Sequence, residues 1–196
     1  MVALAKEKTV TIPKALMYEM LDGIVVPYLG YEKVLAKKTN LENIMGSSGL
    51  QSLVIDIISN YLRGIFKDYR FLGSELGLHL NHKNNLAADI AMYHKSMLLK
   101  LASENYLDTP PRAVIEIDTK ADQSVFEYDG VYFNQKTQKL LDFGVEIVVW
   151  FFTSDQKIII ARPNQPWLTT HFDFDFDFLG QPMNLKKIME EEGLRF

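Results

Sequence analysis

Cysteine is absent from the 196-residue chain, which excludes disulfide bridges and thiolate metal sites. The lack of thiols fits a reducing compartment, so a cytoplasmic location is expected. Long apolar runs are missing too, since no segment approaches the ~18 uninterrupted apolar residues that a membrane span requires. The first residues, "MVALAKEKTVTIPK", lack the apolar core of a signal peptide, and a soluble, unexported protein is expected. Nor is there an excess of basic charge. A net charge of −4 and a pI near 5.6 give no footprint for indiscriminate polyanion binding, although a local patch or bound metal ions can supply one. With no internal repeat, low-complexity linker or compositional shift, residues 1–196 read as one domain.

What is present is a globular composition, 47% hydrophobic and 23% charged, arranged in clear periods. Pro13 predicts a short helix through "KALMYEM", ended by the turn signal Asp22-Gly23 before a strand "IVVPY". Thr39 and Glu42 have capping-box spacing ahead of another short helix. The longest helical pattern runs from Ser48 to Phe66, with Leu50, Leu53, Val54, Ile57, Ile58, Tyr61, Leu62 and Ile65 on one face. Next come "RFLGSELGLHL" and "LAADIAMY", joined as a hairpin by "NHKNN", and a partly helical stretch from Lys95 to Tyr106. The strand "AVIEI" follows the breaker "DTPP"; a helix over Gly130–Phe143 then precedes the strands "VEIVVWFF" and "KIIIARP". The expected fold is α/β, a mixed sheet flanked by helices with the core order helix-strand-strand-strand-helix-strand.

Chemistry concentrates at two interrupted strands and one helix. In "AVIEIDTK" the alternation of a strand puts Glu116, Asp118 and Lys120 on one face, with neighbouring Cα atoms about 7 Å apart, within reach of a hydrated cation. The bland reading is a strand that runs out into a solvated loop. Asp89 breaks the apolar strand "LAADIAM", where a carboxylate needs a partner or a metal. Pairing of these strands would set Asp89 beside Glu116 as a compact oxygen site for Mg²⁺; the alternative is a lone Asp capping a backbone group. Lys136 shares a helical face with Phe133, Thr137, Leu140 and Leu141, which leaves it either snorkelling or reaching the carboxylates. Lys139 falls off this face and reads as a surface lysine.

In order along the chain, "YEMLDG", "LGLHL" with "AADIAM", "PPRAVIEID" and "KTQKLLDFGVEIVVWFF" make the sequence similar to the restriction-endonuclease-like superfamily with its PD-(D/E)xK motif. Within that superfamily it resembles the Uma family, whose members are regarded as endonucleases. The resemblance spans Tyr18 to Arg162. It implies a restriction-endonuclease-like fold, DNA as partner, Mg²⁺ or Mn²⁺ as cofactor and a homodimer that cuts both strands. By the same resemblance Asp89 matches the motif aspartate and Glu116 the acid of the second half-motif, with the Ile117 carbonyl as a third metal ligand. Ala88 replaces the motif proline, and Asp118 stands where a lysine usually follows the acid. Lys136 occupies the place of a substituting lysine, with Lys120 as the alternative. Asp118 is then expected either to hold a second cation or to pair with Lys136. The implied activity is metal-dependent phosphodiester hydrolysis in DNA, with Asp89, Glu116, Asp118 and Lys136 as site residues. The rival is a catalytically inactive binding or assembly module on the nuclease fold, consistent with the acidic net charge and Asp118.

Other features read as structural. Glu75 suits a surface or capping role, and His79, His82, His94 and His171 lack the spacing of a zinc site. "HFDFDFDFLG" alternates as a half-buried strand with Asp173, Asp175 and Asp177 in water, and "NLKKIMEEEGLRF" as a short amphipathic helix packing on the domain or a partner.

Overall fold

The computed structural model describes residues 11–128 and 130–195. Met1 to Val10, which hold most of the stretch read as lacking a signal, lie outside the described residues. The first departure from expectation follows Pro13. Lys14–Leu16 form only a 3₁₀ turn, and Met17–Leu21 is a strand, β1, rather than helix. Asp22 (φ 51) and Gly23 (φ 80) are both left-handed, the conformation of a two-residue hairpin turn, and β2 (Ile24–Pro27) pairs antiparallel with β1. Hairpin pairing thus overrides local helical propensity.

Helices α1 (Tyr31–Leu35) and α2 (Glu42–Met45) are short, and the expected capping box is not formed. Leu41 is already helical and takes the N-cap place, while the Thr39 hydroxyl accepts from the Asn43 amide at 3.1 Å. Helix α3 (Gly49–Ile65) starts as predicted at Ser48, whose hydroxyl accepts the Gln51 N–H at 3.1 Å. Its buried face differs at the start: Leu50 and Leu53 are exposed and Gln51 is buried. The first turn of α3 faces a polar site rather than the apolar core, so the amide goes inward.

Strands β3 (Tyr69–Asn81) and β4 (Asn84–His94) make the predicted hairpin. After α4 (Leu98–Leu101), β5 (Ala113–Ile117) leads to α5 (Val131–Phe143) and β6 (Ile147–Phe152), parallel to β5. β7 (Lys157–Ala161) and β8 (Leu168–His171) extend the sheet antiparallel. The "HFDFDFDFLG" segment is not one strand. His171 ends β8 and β9 (Phe176–Phe178) pairs with β10 (Gln181–Met183), because a turn over Phe172 and Asp173 and bonds from Asn184 and Lys187 to Asp175 break the run. Phe172, Phe176 and Phe178 are buried, whereas Phe174 is exposed.

The sheet order is β2-β1-β4-β5-β6-β7-β8, with β3 lying along the other side of β4. One face carries α3 and α6 (Leu185–Glu191) over Ile90, Ile115, Val149 and Phe151, with α6 set down through Leu185, Ile188 and Met189. The other face carries α5, where Tyr132, Leu140 and Leu141 pack on Val114, Val148 and Trp150. Among the described residues no helix is long and apolar enough to cross a membrane. Because Ser48 caps α3 and so sets the turn that carries Gln51, Ser48→Ala is expected to lower unfolding stability by about 1 kcal/mol in a urea titration.

Candidate active site

The β4–β5 register ends at Ile90↔Ile115, which puts Asp89 directly across from Glu116 at the first position beyond the ladder. There the strands part. β1 meets the same side of β4 only at Met20↔Asn85, so a gap opens around Ala87–Asp89 that backbone pairing does not fill. Side chains fill it instead. Asp89 Oδ2 accepts the Ile117 N–H at 2.8 Å, and the Ala87 N–H goes to Glu19 Oε1 at 2.8 Å.

Lys136 closes the gap from α5. Its Nζ donates to Glu19 Oε1 and to the Ala87 carbonyl, each at 2.8 Å, and lies 3.1 Å from Glu116 Oε1. The Tyr132 hydroxyl donates to the second Glu19 oxygen at 2.7 Å. Glu19, Asp89, Glu116 and Lys136 are all buried, with Lys136 at 0% exposure. A single ammonium therefore faces two buried carboxylates, and of the two it hydrogen-bonds Glu19. Glu116 Oε1 keeps close contact but has no hydrogen-bond partner.

The electrostatics follow from that division. Burial pushes the Glu116 carboxyl up to about 8; Lys136 pulls the other way, while Asp89 and Glu19 add repulsion. Asp89 is also raised by burial, against the pull of the Ile117 N–H and Lys136. Burial works against the Lys136 charge, but Glu116 and Glu19 outweigh it and hold the ammonium above its ordinary range. Burial thus favours the protonated form of Glu116, while Lys136 stays charged.

Gln51 enters from the opposite layer. Its Nε2 donates to the Ile117 carbonyl at 2.8 Å and lies 3.4 Å from Asp89 Oδ2, so an amide donor bridges two of the oxygens expected to hold a cation. No group of three or more His, Asp or Glu side chains is placed to cage a metal among the described residues. Two carboxylates and a carbonyl, with one carboxylate oxygen outside any hydrogen bond among the described residues, nevertheless suit Mg²⁺, which keeps several waters and needs one or two carboxylates.

Asp118 does not join this cluster. Strand β5 ends at Ile117, and Asp118 is left-handed (φ 53), so the alternation that put it on the Glu116 face does not continue. Its carboxylate accepts from the Thr153 N–H at 2.8 Å and the Thr153 hydroxyl at 2.7 Å, tying β5 to the end of β6, and it makes no pair with Lys136. Lys120 likewise leaves the face: it pairs with Glu75 and donates to the Met45 carbonyl at 3.1 Å. Glu75 thereby gains a partner rather than a solvated surface. Lys139 forms an outer pair with Asp22 at 2.8 Å, and His79 is bonded to Asn85 at 2.6 Å.

Glu19 and Gln51 are the site residues that sequence reasoning missed. The signal for Glu19 was the Asp22-Gly23 turn, since a hairpin there makes "MYEML" a strand and sets Glu19 on the face of buried Leu21.

Two measurements follow. The unfolded chain holds the Glu116 proton only up to about 4.5, the folded protein up to about 8. The carboxyl's contribution to stability is therefore complete below about 4.5 and is lost as pH rises towards about 8. Glu116→Gln is expected to match wild type in melting temperature near pH 4.5 and to exceed it increasingly up to pH 8 in chelator, by thermal scanning. Asp118→Ala should cost about 2–3 kcal/mol in denaturant unfolding, from left-handed strain and the missing Thr153 bonds, whereas Asp118→Asn, which tolerates that conformation, should cost less.

No family model matches the chain, and no curated protein matches it in sequence. Solved structures do. One is a protein from Anabaena variabilis ATCC 29413 named provisionally as a nuclease belonging to DUF820, with a TM-score of 0.63, 12% identity, and coverage of 88% of this chain and 89% of that one. At that identity the likeness concerns fold, and the chain has the α/β fold of this nuclease-named neighbour, a large, mostly antiparallel sheet flanked by helices.

Proposed function

We propose that the protein is a metal-dependent endonuclease that hydrolyses phosphodiester bonds in DNA. The observation that carries this reading is the buried Glu116 Oε1, without a hydrogen-bond partner and directly across a parted ladder from Asp89. Its charge partner is the Lys136 ammonium at 3.1 Å, a contact without hydrogen-bond geometry, and a cation at this place would complete its coordination. Mg²⁺ or Mn²⁺ would be held by Asp89, Glu116 and the Ile117 carbonyl, for which Gln51 Nε2 stands in. Bound there, such an ion supplies Lewis acidity towards a phosphate oxygen and acidifies water. The fold shared with a nuclease-named neighbour supports the same chemistry.

The protein's own residues divide the remaining work. Asp89 and Glu116 bind the ion, and the Ile117 N–H orients Asp89. Lys136 is a positioning residue: fixed by Glu19 and Ala87, it sits behind Glu116 and steadies the carboxylate once its proton leaves. Asp118 serves by fixing the strand end that presents Glu116 and Ile117. Cutting both strands of a duplex calls for two such sites, so a homodimer in the cytoplasm accompanies this reading.

A second reading has a specific observation behind it. The Lys136 ammonium is wholly buried among Glu19, the Ala87 carbonyl, the Tyr132 hydroxyl and Glu116, away from any phosphate, and Asp118 offers no lysine in its place. That arrangement suits a module that keeps the nuclease fold without cutting. Calorimetric titration with Mn²⁺ and plasmid nicking separate the two. The enzyme reading expects a Mn²⁺ site and nicking that Asp89→Ala or Glu116→Ala each abolish and Lys136→Ala greatly reduces. Wild-type protein that binds no Mn²⁺ would establish the module instead.

A further inference from the structure

The described residues contain one stretch of clustered positive charge with no compensating partner. In "KVLAKKTN", residues 33–40, Lys33, Lys37 and Lys38 are all exposed, no acid interrupts them, and none of the three forms an ion pair or side-chain hydrogen bond among the described residues. Glu32 and Glu42 lie outside the stretch on either side. In a chain of net charge −4, this is local basic character that composition hides.

Two further observations give the cluster a place and a cost. Its place is set by Lys120, four residues beyond Glu116 in the chain. The Leu29 N–H donates to the Lys120 carbonyl at 2.6 Å, Tyr28 bridges to Ala121, and the Lys120 ammonium donates to the Met45 carbonyl at 3.1 Å. Both ends of the α1–α2 excursion are thereby fastened to the segment that leaves the carboxylate strand, and the chain then enters α3 and delivers Gln51 to the site. The cost lies at Lys37, which is left-handed (φ 55) just past the end of α1, where glycine or asparagine is the unstrained choice. Lysine at that position trades backbone ease for charge. A five-residue helix has too small a dipole to call for three cations at its end. Lys37 also lines an open groove with Val34, Thr39, Asn40, Leu41 and Glu42, whose single carboxylate leaves the three lysines a surplus of positive charge.

We propose that Lys33, Lys37 and Lys38 form the phosphate-backbone contact by which duplex DNA is seated over the Asp89–Glu116 site, a proposal that rests on the nuclease reading. DNA is the fitting occupant because three unpaired cations match a repeated anion, and phosphate contacts of this kind position a duplex without reading its sequence.

The test is fluorescence anisotropy of a labelled DNA duplex across a salt series, with full-length wild type, the triple variant Lys33→Gln/Lys37→Gln/Lys38→Gln, and Lys186→Gln/Lys187→Gln on α6 as control. The triple variant is expected to bind at least tenfold more weakly, with a salt slope shallower by about 0.9 for each phosphate no longer neutralised, while its Mn²⁺ titration stays at the wild-type value. The α6 control should keep the wild-type slope. Lys37→Gly should split the readouts, with a higher unfolding midpoint and weaker DNA binding. A triple variant with wild-type affinity and slope overturns the proposal, as does wild type with no affinity for the duplex. If wild type nicks DNA and the triple variant nicks it with the same KM, the seating proposal fails and the nuclease reading stands. If wild type binds through these lysines yet nicks nothing with Mn²⁺, the lysine–phosphate interaction stands and the nuclease reading fails.

Discussion

One buried ammonium holds the centre of this molecule together. Lys136 bonds Glu19 from β1 and the Ala87 carbonyl of β4, and touches Glu116 of β5, so three strands and α5 meet at one charge. Removing one partner of such a cluster leaves an uncompensated buried charge, which costs about 3–5 kcal/mol, more than a typical core truncation of one methylene. The arrangement is expensive even intact, because desolvation offsets much of the attraction. It also cannot satisfy everyone: the bonds go to Glu19, and Glu116 stays close without one. That shortfall is what makes Glu116 available to something else.

The sheet makes room for this by interruption. Ladder pairing would satisfy the backbone of Ala87 to Asp89, but β5 has parted from β4 and β1 touches it only at Asn85. Carboxylates therefore take over as acceptors, with Glu19 receiving the Ala87 N–H and Asp89 the Ile117 N–H. Each acid thus has a structural bond as well as a chemical capacity. The same double use appears at Gln51, which completes the site on the α3 side while standing in the first turn that Ser48 caps.

How much of this could be read in the sequence depends on which period each residue obeyed. Asp89 and Glu116 were visible because each breaks an otherwise apolar strand, and Lys136 because it interrupts the apolar face of a helix. The element order around them was legible for the same reason, since long amphipathic segments carry their period plainly. Glu19 was hidden because Pro13 suggested helix; only the hairpin pairing of β1 sets it on the face of buried Leu21. Gln51 was hidden by its neighbours: Leu50 and Leu53 supply an apolar stripe on paper, yet the helix turns them outward to admit a polar residue. Asp118 failed in the opposite way, as alternation was extended past Ile117 through the residue at which the backbone reverses its φ.

Backbone strain marks the same region from the other side. The β3–β4 register runs Gly73↔Ile90 and then Leu76↔Ala88, so Ser74 and Glu75 form a bulge at the position that would have faced Asp89. Both bulge residues are left-handed, at φ 65 and φ 57, a conformation that costs roughly 1–2 kcal/mol for each residue that is not glycine. Asp89 consequently has no register partner on either side, with β3 bulged away and β5 parted. The bulge also aims Glu75 at Lys120, which keeps that lysine engaged at the loop after β5 and clear of Glu116. A strand that only needed to be stable would have closed both ladders over an apolar residue. Here the fold gives up pairing on two sides and accepts a strained bulge, and what it gains is a carboxylate whose position is set by the strand but whose surroundings are free of it.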